Sequence, residues 1–75
     1  MSNVVDLWRA RLDEATVQLG RGIDASTLAD RYDVATAADI EALTNQAVRE
    51  MIRADYAELT LDDFDAAAKR LEVTA

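Results

Sequence analysis

The alternation of apolar and polar positions divides the chain into four stretches, and the longest, 36–55 (TAADIEALTNQAVREMIRAD), organises the others. At about 3.6 residues per turn, Ile40, Leu43, Ala47, Met51 and Ala54 fall on one side of a helix. Val48 and Ile52 widen that side to about half the circumference, beyond the stripe of a surface helix. An arc so wide predicts a central helix that touches partners on two sides. No Gly or Pro interrupts it, and Ala, Leu, Met, Glu and Arg favour helix on their own account. Thr36 is the expected N-cap, and Asp39 places a carboxylate near the positive end of the helix dipole. Thr44 breaks the arc with a hydroxyl able to bond a carbonyl one turn back, and Glu41 lies near enough to the helix start to stay wet.

The first stretch predicts a helix over 4–19, capped by Asn3 or Ser2, with Val4, Val5, Trp8, Leu12, Ala15 and Leu19 on one face. Leu7, Ala10 and Val17 form a thinner second stripe, expected to stay exposed in the monomer or to be covered only by another copy of the chain. Gly20 stands where a left-handed C-terminal cap would end this helix, with Gly22 close behind. Asp24 is a good N-cap for a short helix over 25–32, with Leu28, Ala29 and Tyr32 on its apolar edge. Residues 33–35 and 56–59 are connections. Thr60 caps a last helix over 61–71, and Asp63 gives it a weakened capping box. Leu61, Phe64, Ala67, Ala68 and Leu71 share a face there, Asp65 and Lys69 are spaced as an ion pair, and 73–75 should fray. The expectation is one all-α domain over 1–75 with four helices, near 4–19, 25–32, 37–55 and 61–71, and no strand.

A chain of 75 residues has room for one domain, which at this size buries only about 60% of its unfolded surface. It has no Cys and no His, so thiolate metal sites, disulfides and the commonest general base are missing. No apolar run approaches the roughly 18 residues of a membrane span, and no signal-peptide pattern opens the chain. A cytoplasmic setting is expected, with no membrane partner. A net charge of −7 argues against nucleic acid, which needs a basic face. Asp outnumbers Glu ten to five, and Arg outnumbers Lys seven to one. Acidic, Lys-poor surfaces suit a high-salt cytoplasm such as that of halophilic archaea, while a GC-rich genome favours the same residues through its codons.

Catalytic constellations are mostly absent. The glycines are Gly20 and Gly22 and the lysine is Lys69, so no G-x-x-x-x-G-K-[ST] phosphate loop occurs. Asp62, Asp63 and Asp65 form the densest carboxylate cluster, but the run lacks the Gly and the distal Glu of a calcium loop and lies where a helix start favours acids. Ser26, Thr27 and Thr60 have no base nearby in sequence and read as caps or surface hydroxyls. Trp8 and Phe64 read as core. By itself the polypeptide is not expected to be an enzyme, to hold a metal or to carry a cofactor.

Three segments nevertheless follow one another in a specific order. Gly22-Ile23-Asp24-Ala25-Ser26-Thr27-Leu28-Ala29 precedes Asp33-Val34-Ala35-Thr36-Ala37-Ala38-Asp39-Ile40, and Leu59-Thr60-Leu61-Asp62-Asp63-Phe64-Asp65-Ala66-Ala67 closes the chain. This order resembles the small C-terminal helical subdomain, the lid, of AAA ATPases. There, D-[VIL]-D-x-x-x-[LV]-A leads into G-[FY]-S-G-A-D-[LI] at the start of a long helix, and I-T-x-x-D-F-x-x-A-L follows. The resemblance covers nearly the whole chain, and its last motif is the most specific piece. It implies a lid resting over ATP or ADP with Mg²⁺, held by a larger Walker-motif domain of the same chain, with neighbouring subunits of a ring as further partners. By position Ala37 and Ala38 would face the nucleotide, Ala37 standing where the family has a Gly. Asp13 stands where many members carry a base-contacting His.

The competing expectation is a free-standing acidic helical module for protein interaction, or a small homodimer. The helix–long helix–helix order is also similar to that of histone-fold proteins, whose topology is related to AAA lids. A DNA-binding histone fold would need basic loops, which this acidic chain lacks.

Overall fold

The computed structural model describes residues 3–55 and 57–73; Ser2, Tyr56 and the tail residues Thr74 and Ala75, named above as a cap, a connection and a frayed end, lie outside them. In chain order the elements are α1 (Val4–Asp13), β1 (Gln18–Leu19), α2 (Ala25–Arg31), α3 (Ala37–Arg53), β2 (Glu58–Leu59) and α4 (Leu61–Arg70). The mostly helical reading holds, with one addition, a two-stranded ladder.

Each helix starts where a short polar side chain takes up a free backbone N–H. Asn3 accepts from the Asp6 amide at 2.9 Å, Asp24 from Thr27 at 2.8 Å and Thr36 from Asp39 at 3.1 Å. Thr60 and Asp63 complete a full capping box, the Asp63 carboxylate receiving the Thr60 amide at 2.9 Å. At the other end, α3 and α4 both run into a non-glycine residue of positive φ, Asp55 at 60° and Glu72 at 57°. That is the left-handed position that commonly follows a helix.

α3 is the axis of the molecule. α1 and α4 pack against it and α2 packs against α1, so the central helix has partners on two sides as its apolar arc requires. Ile40, Leu43, Ala47 and Met51 are buried, and the Thr44 hydroxyl donates to the Ile40 carbonyl at 2.8 Å. The arc is narrower than its sequence suggests: Val48 is half-buried, Ile52 is 66% exposed and Ala54 is an exposed cap. Around α3 the core is closed by Trp8, Leu28, Tyr32, Leu59, Phe64, Ala67 and Ala68. Trp8 meets Phe64 edge-on, with ring centroids 5.8 Å apart.

The first helix is six residues shorter than its periodicity predicts, ending at Asp13 rather than Leu19. Thr16 and Val17 are β-branched and disfavour helix, and after them the pattern changes period, Val17 and Leu19 half-buried around an exposed Gln18. Gln18 and Leu19 pair in parallel with Glu58 and Leu59, which places β1 where the end of the first helix was expected and β2 where a connection was expected. Gly20 is therefore no helix cap. It is buried in the ladder, its amide donates to the Leu59 carbonyl at 2.7 Å, and a Cβ there would stand 2.6 Å from that oxygen. Leu7 and Val17, no longer on one helix, are half-buried against the core, so the exposed stripe expected of them does not form. Leu71, expected on the last apolar face, caps α4 and is 42% exposed.

Two ionic clasps tie α4 down. Arg31 grips Asp65 with Nη2 at 2.7 Å and Nε at 3.1 Å, and the Tyr32 hydroxyl donates to the same carboxylate. Asp65 is thus bonded by Arg31 rather than paired with Lys69 as its helical spacing suggests. The Arg31 guanidinium holds the Asp65 carboxyl below the usual carboxylate range, while burial and the Asp65 charge push the Tyr32 phenol up. On the other side Arg70 Nε lies 2.6 Å from the nearly buried Glu50 carboxylate, which also accepts from Gln46 at 2.9 Å. Those bonds, Gln46 first, hold Glu50 low as well.

Candidate functional site

The residues that the sequence marks as nucleotide-facing, Ala37 and Ala38, open the longest helix and are exposed. They stand in the first turn, whose amides have no intrahelical acceptor. Thr36 satisfies the Asp39 amide, which leaves the start of α3 lined by two methyl groups and free N–H groups. Small side chains there let another backbone approach closely.

The surroundings of this start are acidic. A groove of about 420 Å³ beside it is lined by Asp33, Asp39 and Glu72 together with Val34, Ala42 and Val73, and no Lys or Arg lines it. A triphosphate would be repelled there. The residues present therefore do not fit the phosphates of a nucleotide, and only an uncharged part of such a ligand is compatible with the Ala37–Ala38 surface.

Asp13 lies elsewhere. It is exposed at the end of α1 and shares a groove of about 740 Å³ with Arg9, Leu12 and the start of α2, Asp24 to Thr27. Asp24 is already committed as the α2 cap, and the Thr27 amide holds its carboxyl below the usual range. The opposite end of α1, at Val4, borders the residues 29–35 that lead into α3. At about 1.5 Å per residue, Asp13 is roughly 13 Å further along the helix than Val4. Asp13 thus stands at the far end of α1 from the residues that lead into α3.

The carboxylates Asp62, Asp63 and Asp65 have separate tasks. Asp63 closes the capping box, Asp65 joins the Arg31 clasp and Asp62 is exposed in the first turn of α4. Among the described residues no group of His, Cys, Asp or Glu side chains is arranged to hold a metal ion. Among the described residues no helix is long and apolar enough to cross a membrane.

One concavity carries a different chemistry, and sequence reasoning passed over it. Between the end of α1, the following loop and the middle of α3 lies a groove of about 460 Å³ lined by Arg11, Val17, Asn45, Val48 and Arg49 among others. Arg11 Nη2 donates to the Asn45 side chain at 3.0 Å, and its Nε is buried without a hydrogen-bond partner among the described residues. Nothing in the spacing of Arg11 and Asn45, 34 residues apart, announces that they meet. The one local sign is that Asn45 and Arg49 stand one turn apart beside the apolar arc of α3.

No family model, curated protein or solved structure matches this chain.

Proposed function

We propose that the chain is the C-terminal helical lid of an AAA ATPase, resting on a separate Walker-motif domain and relaying nucleotide-dependent motion within an oligomer. The observation that carries this reading is the start of α3, where a capped first turn presents Ala37 and Ala38 bare to solvent on the longest helix of the molecule. Such a start suits close approach by another domain or by the adenosine end of a nucleotide. The closing motif supports the same reading through the work its residues do. Leu59 and Phe64 are fully buried, and Thr60 and Asp63 cap the helix between them.

In this reading the chain performs no catalysis. ATP or ADP with Mg²⁺ belongs to the larger domain, which supplies the phosphate cradle and the metal ligands that this chain lacks. Ala37, in place of the Gly of AAA lids, adds a methyl group to the approach, and Asp13, where many lids carry a His, sets a carboxylate that is electrostatically poor for facing a nucleotide. Calorimetric titration of MgATP into the chain is expected to give no micromolar binding.

The gene itself provides the test. Its reading frame, followed upstream of the Met1 codon, should encode Walker A and Walker B motifs. An in-frame stop before any such motif would overturn the reading in favour of a free-standing interaction module.

A further inference from the structure

The Arg11–Arg49 groove has the composition of a recognition surface, and its argument stands apart from the lid reading. Its floor is apolar, made by the half-buried Val17 and Val48. On its rim two guanidinium groups face one carboxylate, Glu14, which reaches Arg11 only at 4.0 Å. Arg49 is exposed and makes one long contact, to Gln46 at 3.5 Å. On a chain of net charge −7, this is a local excess of positive charge. It continues along α3, where the next turn presents the exposed Ile52 and Arg53. Toward the start of α3 the same face turns acidic at Glu41, which bounds the basic stretch.

We propose that this groove receives an acidic segment of a partner polypeptide. An aliphatic side chain of the partner settles on Val17 and Val48, and a neighbouring carboxylate meets Arg11 and Arg49. Arg11 already holds Asn45 through Nη2, which leaves Nη1, 4.0 Å from Glu14, as the end of the guanidinium that an entering carboxylate meets. A free inorganic anion would leave the valines wet, so charge alone does not account for the groove. A second copy of the chain is a poor occupant, because two copies of net charge −7 repel over their whole surfaces, whereas a short segment brings only a carboxylate or two to the guanidinium pair. The occupant is therefore a different polypeptide that offers acidic and aliphatic residues in alternation.

The test is an amide-resolved NMR titration of the ¹⁵N-labelled chain with a capped pentapeptide alternating Asp and Leu. Saturable shifts confined to Asn45, Val48, Arg49 and the 14–17 loop are expected. The same peptide with Asn for Asp should bind at least about tenfold more weakly. Arg49→Glu, which gives up only the long contact to Gln46, should keep the fold by circular dichroism and lose the titration. Equal binding of the Asn peptide, wild-type binding by Arg49→Glu, or the same shifts with inorganic phosphate would overturn the proposal. So would concentration-dependent shifts of these amides without peptide, since they would make a second copy the occupant.

Discussion

Gly20 shows how a single residue changes meaning once its neighbours are in place. In the sequence it reads as a helix cap, whereas in the structure it lets two loops touch, its amide on the Leu59 carbonyl. A methyl group there would meet that oxygen at 2.6 Å, so Gly20→Ala must push the ladder apart. The expected cost is about 1–3 kcal/mol, the range of overpacked sites, measured by denaturant unfolding. Asp65 makes the parallel point for charge. Its folded-state pKa is depressed, chiefly by Arg31, so its contribution to stability is present above the unfolded carboxylate pKa and disappears as pH falls through the lower folded value. Asp65→Asn should therefore lower the thermal midpoint at pH 7, and its gap to wild type should close below about pH 4. A gap that stays constant with pH would remove the ionic part of the clasp. The caps Asn3, Asp24, Thr36 and Thr60 were legible because each acts within three residues of its partner. The pairs Arg31–Asp65 and Arg11–Asn45 bridge 34 residues, a distance at which a single sequence carries no pairing signal.

Among the elements, α2, α3 and α4 were read nearly to their ends because one period runs through each and a cap starts it. α1 was read too long. Ala15 and Leu19 continue a helical spacing, while Val17 and Leu19 begin a strand spacing, and over so few residues the two periods overlap. The two-residue strands were beyond pattern reasoning, since each is fixed by its partner and not by its own alternation. The earlier end of α1 turns Val17 onto the core edge, where Leu7, still within the helix, is also half-buried. Replacing both with Ser is accordingly expected to cost about 1–3 kcal/mol in the monomer, where an exposed stripe would have been nearly neutral. Ile52 is the contrasting position: at 66% exposure on α3, Ile52→Ser should change stability by no more than about 0.5 kcal/mol. Chemical denaturation of the two variants side by side separates the buried edge from the open face.

At the scale of the whole molecule, charge is the dominant feature. Fifteen acidic and eight basic side chains share a small surface, and among the described residues few acids have a cation within reach. Self-repulsion should lower stability in dilute buffer and screening should restore it, so the calorimetric midpoint is expected to rise from low to molar salt. A flat response would reduce the acidic composition to codon usage. On the lid reading proposed above, the same charge and the acidic groove beside α3 make a nucleotide response depend on a second domain. The most direct test of that dependence is an amide-resolved titration of the labelled chain with the Walker-motif domain that the lid reading expects from the same gene, in the presence of MgADP. The lid account predicts shifts centred on Ala37, Ala38 and the first turn of α3 with the domain present, and none with MgADP alone. Unchanged amides in the presence of the domain, or micromolar binding of MgADP by the chain itself, would contradict it.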